Sequence, residues 1–267
     1  MKVFVCAKQV PDLQGKVFLK KDGSLDRARM ATVINPDDLS AVETALRIKE
    51  KTGAEVIAVT MGLPTAAIMM HELYAMGIDK GYIFSARELA GSDSFGTSQV
   101  LASAIKYLGF AEGDIILCGQ IAIDGDTAQV GPEMAEKLGI SQVTNVVGIE
   151  IEDGALVCTR AFEESTMQIR VKAPCLVCCK KDTAVPRYMN ISRILEWNAA
   201  RDLQIIGYDV MKTMPLFDED VIGVAKAPTF NVTSFALPPK QGGRMLEGNS
   251  AEQALELTGI LAEQRFI

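Results

Sequence analysis

The chain has 267 residues, 48% of them apolar and 23% charged, and 27 basic against 34 acidic side chains give a net charge of −7. That length and apolar share suffice for one large packed globule, or one with an appendage, without support from disulfides or metal. The acidic balance excludes a general nucleic-acid binder, which needs a basic face to neutralise phosphates, and no apolar run approaches the roughly 20 residues of a membrane-spanning helix.

The N-terminus, MKVFVCAKQVPD, holds one lysine and a short apolar stretch before Lys8, Gln9 and Pro11. It is too short and too soon interrupted for a secretory signal, and it lacks the Arg-rich pattern of a transit peptide; a soluble, cytoplasmic protein is expected. Residues 2–7 (KVFVCA) form the first expected strand. Asn35-Pro36-Asp37-Asp38 then opens a helix, with Asn as N-cap, Pro at the first helical position and acids in the first turn. Leu39, Val42 and Leu46 continue at helical spacing to Gly53. Residues 55–60 read as strand, 64–76 as helix, 80–85 as strand, 96–108 as helix and 114–118 as strand. A further helix over 127–138 contains Pro132, so it is irregular near Thr127 or begins at Gly131-Pro132.

Four strands each followed by a helix imply right-handed crossovers and a parallel sheet covered on both faces. The fold class expected is therefore α/β, with a doubly wound parallel-sheet core. The texture then changes. Residues 143–151 and 155–160 flank Glu152-Asp153-Gly154, a hairpin signal. Residues 162–172 and 175–180 read as further strands and 190–197 as a short helix. Residues 200–248 show little periodicity, and a loop of that length does not suit a compact domain. The expected division is an α/β nucleotide-binding domain over 1–199 and an extended C-terminal arm over 200–267, closed by a helix over 250–264.

Ligands of open α/β sheets bind beyond the carboxyl ends of the strands. No segment there carries G-x-G-x-x-G after the first strand or G-x-x-x-x-G-K-[ST], so neither the standard dinucleotide fingerprint nor a P-loop is present. Residues 91–98, GSDSFGTS, fit a phosphate site less well than a solvated loop with a helix cap. Residues 119–132, GQIAIDGDTAQVGP, are more informative because they join a strand to a helix. Gly125 and Gly131 allow close approach to the backbone, Thr127 and Gln129 offer neutral donors, and amides at a helix start suit an anion. Asp124 and Asp126 would repel a pyrophosphate unless turned toward ribose or the helix end. Spacing alone fits a nucleotide cradle and a well-capped loop equally.

The six cysteines include Cys175-Leu-Val-Cys178-Cys179. Strand alternation points Cys175 and Cys178 to opposite faces, and no second C-x-x-C exists, so buried thiols rather than a metal site are expected. The lone His71 sits inside an expected helix. No nucleophile–base pair is legible, which suits a protein whose cofactor does the chemistry.

Over essentially its whole length the chain resembles the beta subunit of electron-transfer flavoproteins. The resemblance is carried by residues 2–8 (KVFVCAK), 33–38 (VINPDD) running into 41–46 (AVETAL), 56–62 (VIAVTMG), 122–132 (AIDGDTAQVGP) and 185–188 (VPRY). It implies a heterodimer with an alpha subunit. It also implies an adenine-nucleotide site at Cys6, Ala7, Asn35, Asp38, Met61, Gly62, Gly119, Asp124, Gly125, Asp126, Thr127, Gln129, Val130 and Gly131. The family holds AMP there in housekeeping members and a second FAD in electron-bifurcating ones. The latter accept hydride from NADH and split the electrons between ferredoxin or flavodoxin and, through the alpha-subunit FAD, a partner acyl-CoA or other flavin-dependent dehydrogenase. The run from Asp124 to Pro132 looks like the bifurcating type, because Gly125 and the small Ala128 leave room for a pyrophosphate. Ile121 departs from the Gln the family pattern leads one to expect. Residues 186–191 match the family's recognition loop, which implies docking roles for Arg187, Tyr188 and Ile191, and the arm would wrap the alpha subunit. No catalytic side chain is implied.

Overall fold

The computed structural model describes residues 1–12, 31–196, 203–229 and 242–267. Its core is one mixed sheet. β1 (Lys2–Cys6) leads through a two-stranded ribbon, β2 (Gln9–Pro11) and β3 (Thr32–Ile34), into helix α1 (Pro36–Thr52). Then follow β4 (Glu55–Met61), α2 (Ala67–Met76), β5 (Lys80–Phe84), α3 (Ser94–Tyr107), β6 (Ile115–Gly119), α4 (Val130–Leu138) and β7 (Ser141–Glu152). β8 (Ala155–Ala161), β9 (Thr166–Lys172), β10 (Cys175–Cys179), the short α5 (Ile191–Leu195), β11 (Leu203–Ile206), α6 (Tyr208–Met211) and α7 (Ser250–Glu263) complete the order.

The sheet runs β11-β5-β4-β1-β6-β10-β7-β8-β9. Pairing is parallel from β11 through to β7, and β8 and β9 add an antiparallel meander. The α/β, doubly wound reading is what the structure shows. Alternation along each strand sorts the side chains onto two faces. Val3 and Val5 pack with Val42, Leu46 and Leu73 under α1 and α2, while Phe4 and Cys6 pack with Leu101, Ile105 and Met134 under α3 and α4. Each such buried aliphatic or aromatic side chain contributes about 1.5–3 kcal/mol relative to exposure. The same alternation turns Cys175 and Cys179 to the first face and Cys178 to the second, and all six thiols are buried and unpaired by disulfides.

Local signals explain the boundaries. Pro36 starts α1, and Gly53 ends it in the left-handed region with its N–H on the Lys49 carbonyl at 2.7 Å. Asp153 and Gly154 both have positive φ, 46° and 73°, which is the two-residue turn that a right-handed β7–β8 hairpin favours.

Several expectations need correction. The helix expected from 64 begins as a 3-10 turn at Pro64–Ala66, and α4 begins at Val130, which puts Pro132 in its tolerated first turn. The run 200–248, read as lacking periodic elements, contains β11. That strand pairs with β5 in parallel, and Met211, Met214 and Ile222 behind it are buried in the core. Within that run Ile206 and Phe217 pack on the core, whereas Ile205 and Leu216 are exposed. α7, by contrast, has no buried residue. The short helix expected over 190–197 is α5; Trp197 lies outside the described residues, as do 230–241 of the expected arm.

Candidate functional site

The chain order β1-β4-β5 moves toward one edge, and after α3 it returns across β1 to β6. The switch point of the sheet therefore lies between β1 and its neighbours β4 and β6, beyond their carboxyl ends. A cleft of about 380 Å³ opens there, within the usual range of roughly 300–1,000 Å³ for ligand pockets.

The first turn of α1 ties the walls together. Asp38 accepts from the backbone N–H of Lys8 at 2.8 Å through Oδ2 and of Gly119 at 2.8 Å through Oδ1, which joins the ends of β1 and β6. Asp37 accepts from the Ile121 N–H at 3.2 Å. Burial pushes the Asp38 carboxyl up to about 7, against the lowering effect of the Lys8 and Gly119 amides and the Asn35 side chain. Burial also raises Asp37, opposed by the Ile121 and Lys181 amides. Asn35, expected to cap α1 with its side chain, does something else. Its Nδ2 donates to the Ile121 carbonyl at 2.7 Å and its Oδ1 accepts from the Ile123 N–H at 3.2 Å. It fastens the loop after β6, and its own N–H bonds the Lys8 carbonyl at 2.9 Å.

The loop itself is shaped for backbone exposure. Asp126 and Ala128 hold left-handed φ values of 51° and 55°, and a Cβ on Gly125 would meet nothing within 4 Å. Such strained backbone persists only where surrounding structure enforces it, and it clusters at ligand sites. Gln129 stands at the N-cap of α4 and gives no cap bond; its Oε1 instead accepts from Ser94 Oγ at 2.7 Å. Val130 and Gly131, the first two residues of α4, line the cleft, and the N–H groups of a helix start suit an anion. Gly131 lets α4 approach the sheet, because a Cβ there would lie 2.5 Å from Cys178 Sγ and 2.9 Å from Cys118 Sγ. Asp124 pairs with Lys8 Nζ at 2.7 Å, which offsets one of the two loop carboxylates.

Of the expected site residues, Cys6, Ala7, Asp38, Met61, Gly119, Asp124, Gly125, Asp126, Thr127, Gln129, Val130 and Gly131 line this one cleft. Asn35 lies behind it, fully buried, and Gly62 sits just outside with its N–H on the Phe84 carbonyl. Ser92, Asp93, Ser94 and Thr97, from the 91–98 run that the sequence reading ranked as a solvated, capped loop ahead of a phosphate site, also line the cleft. The 91–98 run is a cap and a wall at once: Asp93 caps α3 by accepting from Gly96 N–H at 2.9 Å. Burial works to raise Asp93, but the hydrogen bonds from Gly96, Thr229 and Phe95 hold it below the usual carboxylate range. Burial lifts the Cys6 thiol well above its ordinary value, and the hydrogen bond with Cys178, together with burial, lifts Cys118, which disfavours the reactive thiolate at both.

A second surface is the 184–195 segment. Tyr188 is 99% exposed and Ile191 74% exposed, whereas Arg187 turns inward, its Nε donating to Glu43 at 2.7 Å and its Nη1 to Glu50 at 2.6 Å.

Residues 22–206 match the electron transfer flavoprotein domain family. Over 268 residues, and the full length of both chains, the sequence is 47% identical to the acryloyl-CoA reductase electron transfer subunit gamma of Anaerotignum propionicum. It is 39% identical over 269 residues, again the whole of both chains, to the caffeyl-CoA reductase-Etf complex subunit CarD of Acetobacterium woodii. It is 36% identical over 267 residues, with both chains fully covered, to the electron transfer flavoprotein subunit beta of Thermoanaerobacterium thermosaccharolyticum. Among the described residues, no helix is long and apolar enough to cross a membrane.

Proposed function

The chain belongs to the electron transfer flavoprotein family as a beta subunit, and from that premise we propose that its switch-point cleft holds a second FAD and that the heterodimer bifurcates electrons. The observation that carries this reading is the loop after β6: Gly125 faces open space, Asp126 and Ala128 are left-handed, and α4 begins without a side-chain cap. The Gly125 and Asp126 N–H groups close a turn on the Ala122 carbonyl, so the groups left to meet a pyrophosphate are the amides that follow, up to the uncapped start of α4.

In this reading the Val130 and Gly131 amides hold the pyrophosphate, and the Asp124–Lys8 pair keeps one carboxylate from repelling it. Met61 and Ala7 flank the adenine, while Asp38 and Asn35 keep the strand ends and loop in register. The chemistry supplied by bound FAD is hydride acceptance from NADH and delivery of single electrons, to ferredoxin or flavodoxin and through the alpha-subunit FAD to a dehydrogenase. This chain's side chains bind, orient and exclude water; none moves a proton. Two of the similar proteins are named for reductases of α,β-unsaturated acyl-CoA thioesters, and a flavin-dependent enzyme of that class is the dehydrogenase we propose as partner. Tyr188 and Ile191 meet that enzyme, and the arm, including α7, lies on the alpha subunit.

The test is a cofactor count on the complex with its alpha subunit, denatured and analysed for FAD and AMP. Two FAD and no AMP per heterodimer are expected. One of each would leave a carrier with a structural AMP and end the bifurcation proposal.

A further inference from the structure

The 184–195 segment shows a repeat of three. Its inward bonds fall at every third residue. The Ala184 N–H donates to Ser40 Oγ at 2.9 Å. Arg187 grips Glu43 with Nε at 2.7 Å and Nη2 at 3.1 Å, and reaches Glu50 with Nη1 at 2.6 Å. The Asn190 N–H donates to the Ala75 carbonyl at 2.9 Å. Arg193 Nη1 donates to the Tyr74 and Ile78 carbonyls at 2.8 and 3.1 Å, with its guanidinium 5.0 Å over the Tyr74 ring. Between these pins stand Val185, Tyr188 and Ile191, and Leu195 follows the last of them, each at least 74% exposed. Both arginines of the segment are thus spent on α1 and on the end of α2, and what faces outward is mostly apolar, with Asn190 and Ser192 the polar exceptions.

A buried carboxylate explains the choice of Arg187. The Glu43 side chain is 5% exposed, and such a charge is costly unless paired on more than one side. Arg47 supplies one partner at 3.0 Å, and the planar fork of Arg187 supplies a bidentate one. Exposed apolar side chains on a backbone held this way lose little further freedom on binding, which is how preorganisation raises affinity.

We propose that Arg187 and Arg193 are positioning residues that hold residues 184–195 in the one conformation a partner recognises, with the contact itself made by Tyr188, Ile191 and Leu195. This rests on the reading of the segment as a docking loop, so the experiment separates the two. In the full chain, Glu43→Gln removes the buried charge that Arg187 grips and leaves it only Glu50 as an ionic partner. Trypsin should then cut the Arg187–Tyr188 bond about tenfold faster, and amide exchange over 184–195 should rise in Glu43→Gln and Arg193→Ala, while the nucleotide content stays as in the wild type. In the heterodimer, both variants should raise the KM for the flavin-dependent partner about tenfold at unchanged kcat, with partial retention in Arg187→Lys. Tyr188→Ala and Ile191→Ala should raise the same KM and leave exchange and cleavage alone. Unchanged cleavage and exchange in Glu43→Gln and Arg193→Ala would overturn the pinning. Faster exchange with an unchanged KM, while Tyr188→Ala still raises it, would overturn the positioning role alone. An unchanged KM in Tyr188→Ala and Ile191→Ala would remove the docking reading, and the positioning role with it. Should Glu43→Gln not fold, Glu50→Gln removes one arm of the clamp at an exposed carboxylate and is read the same way.

Discussion

A Cβ added to Gly119 lies 2.7 Å from the Cβ of Asp37 and closer still to the carboxylate of Asp38. Gly119 ends β6 where α1 begins to cover it, so the methyl group of Gly119→Ala has rigid neighbours on its path. The variant should lose about 1–3 kcal/mol of stability, as overpacked sites do, and retain less nucleotide; urea unfolding and cofactor release measure both. Asp38 gives a pH signature. Its folded-state value of about 7 lies above that of an unfolded carboxyl. The folded chain therefore keeps the proton where the unfolded chain has lost it. The stabilisation is complete below the unfolded value and is lost as pH rises through about 7. Wild type should lose stability from pH 5 to pH 8 more steeply than Asp38→Asn. Equal slopes in denaturant melts would show an ordinary carboxyl.

At the level of elements, α1 organises the site from behind. Its side chains reach β1, β6 and the following loop, and Asn35 makes two of those bonds. Asn35→Ala should release residues 121–123 and weaken nucleotide retention by about tenfold or more, since each buried bond left unmade costs roughly 1–3 kcal/mol; equilibrium dialysis against the free nucleotide reads this. The helix start at Asn35-Pro36 was legible in the sequence because Pro and the acids act locally. The partner of the Asn35 side chain was not, because Ile121 and Ile123 lie more than eighty residues away and meet it only through the crossover. The hairpin at Asp153-Gly154 was legible for the same local reason, and the switch-point loop because it joins a strand to a helix. β11 was hidden. Leu203-Gln-Ile-Ile206 has four residues and no alternation, and its strand state comes from the open edge of β5. Ser94 read as a cap neighbour, since nothing local says that the start of α3 faces the start of α4.

For the whole molecule, the division of labour follows burial. The doubly wound core buries both faces of its central strands, whereas α7 has no buried residue and carries the exposed Leu255 and Leu257. Removing residues 242–267 should leave the melting temperature of the isolated chain within a few degrees, because surface elements away from the core shift stability little. It should abolish stable pairing with the alpha subunit in size-exclusion chromatography. Retained pairing would place that interface elsewhere.

The buried thiols have a practical consequence. All six cysteines lie inside the core, and burial raises Cys158 to about 11 and Cys175 to about 12. Maleimides attack thiolates, so the native chain is close to silent toward them at neutral pH. A single cysteine introduced at Met245, which is 88% exposed, would then take a fluorophore alone, with no need to strip the natural thiols. The chain comes ready for distance measurements between its arm and a labelled partner.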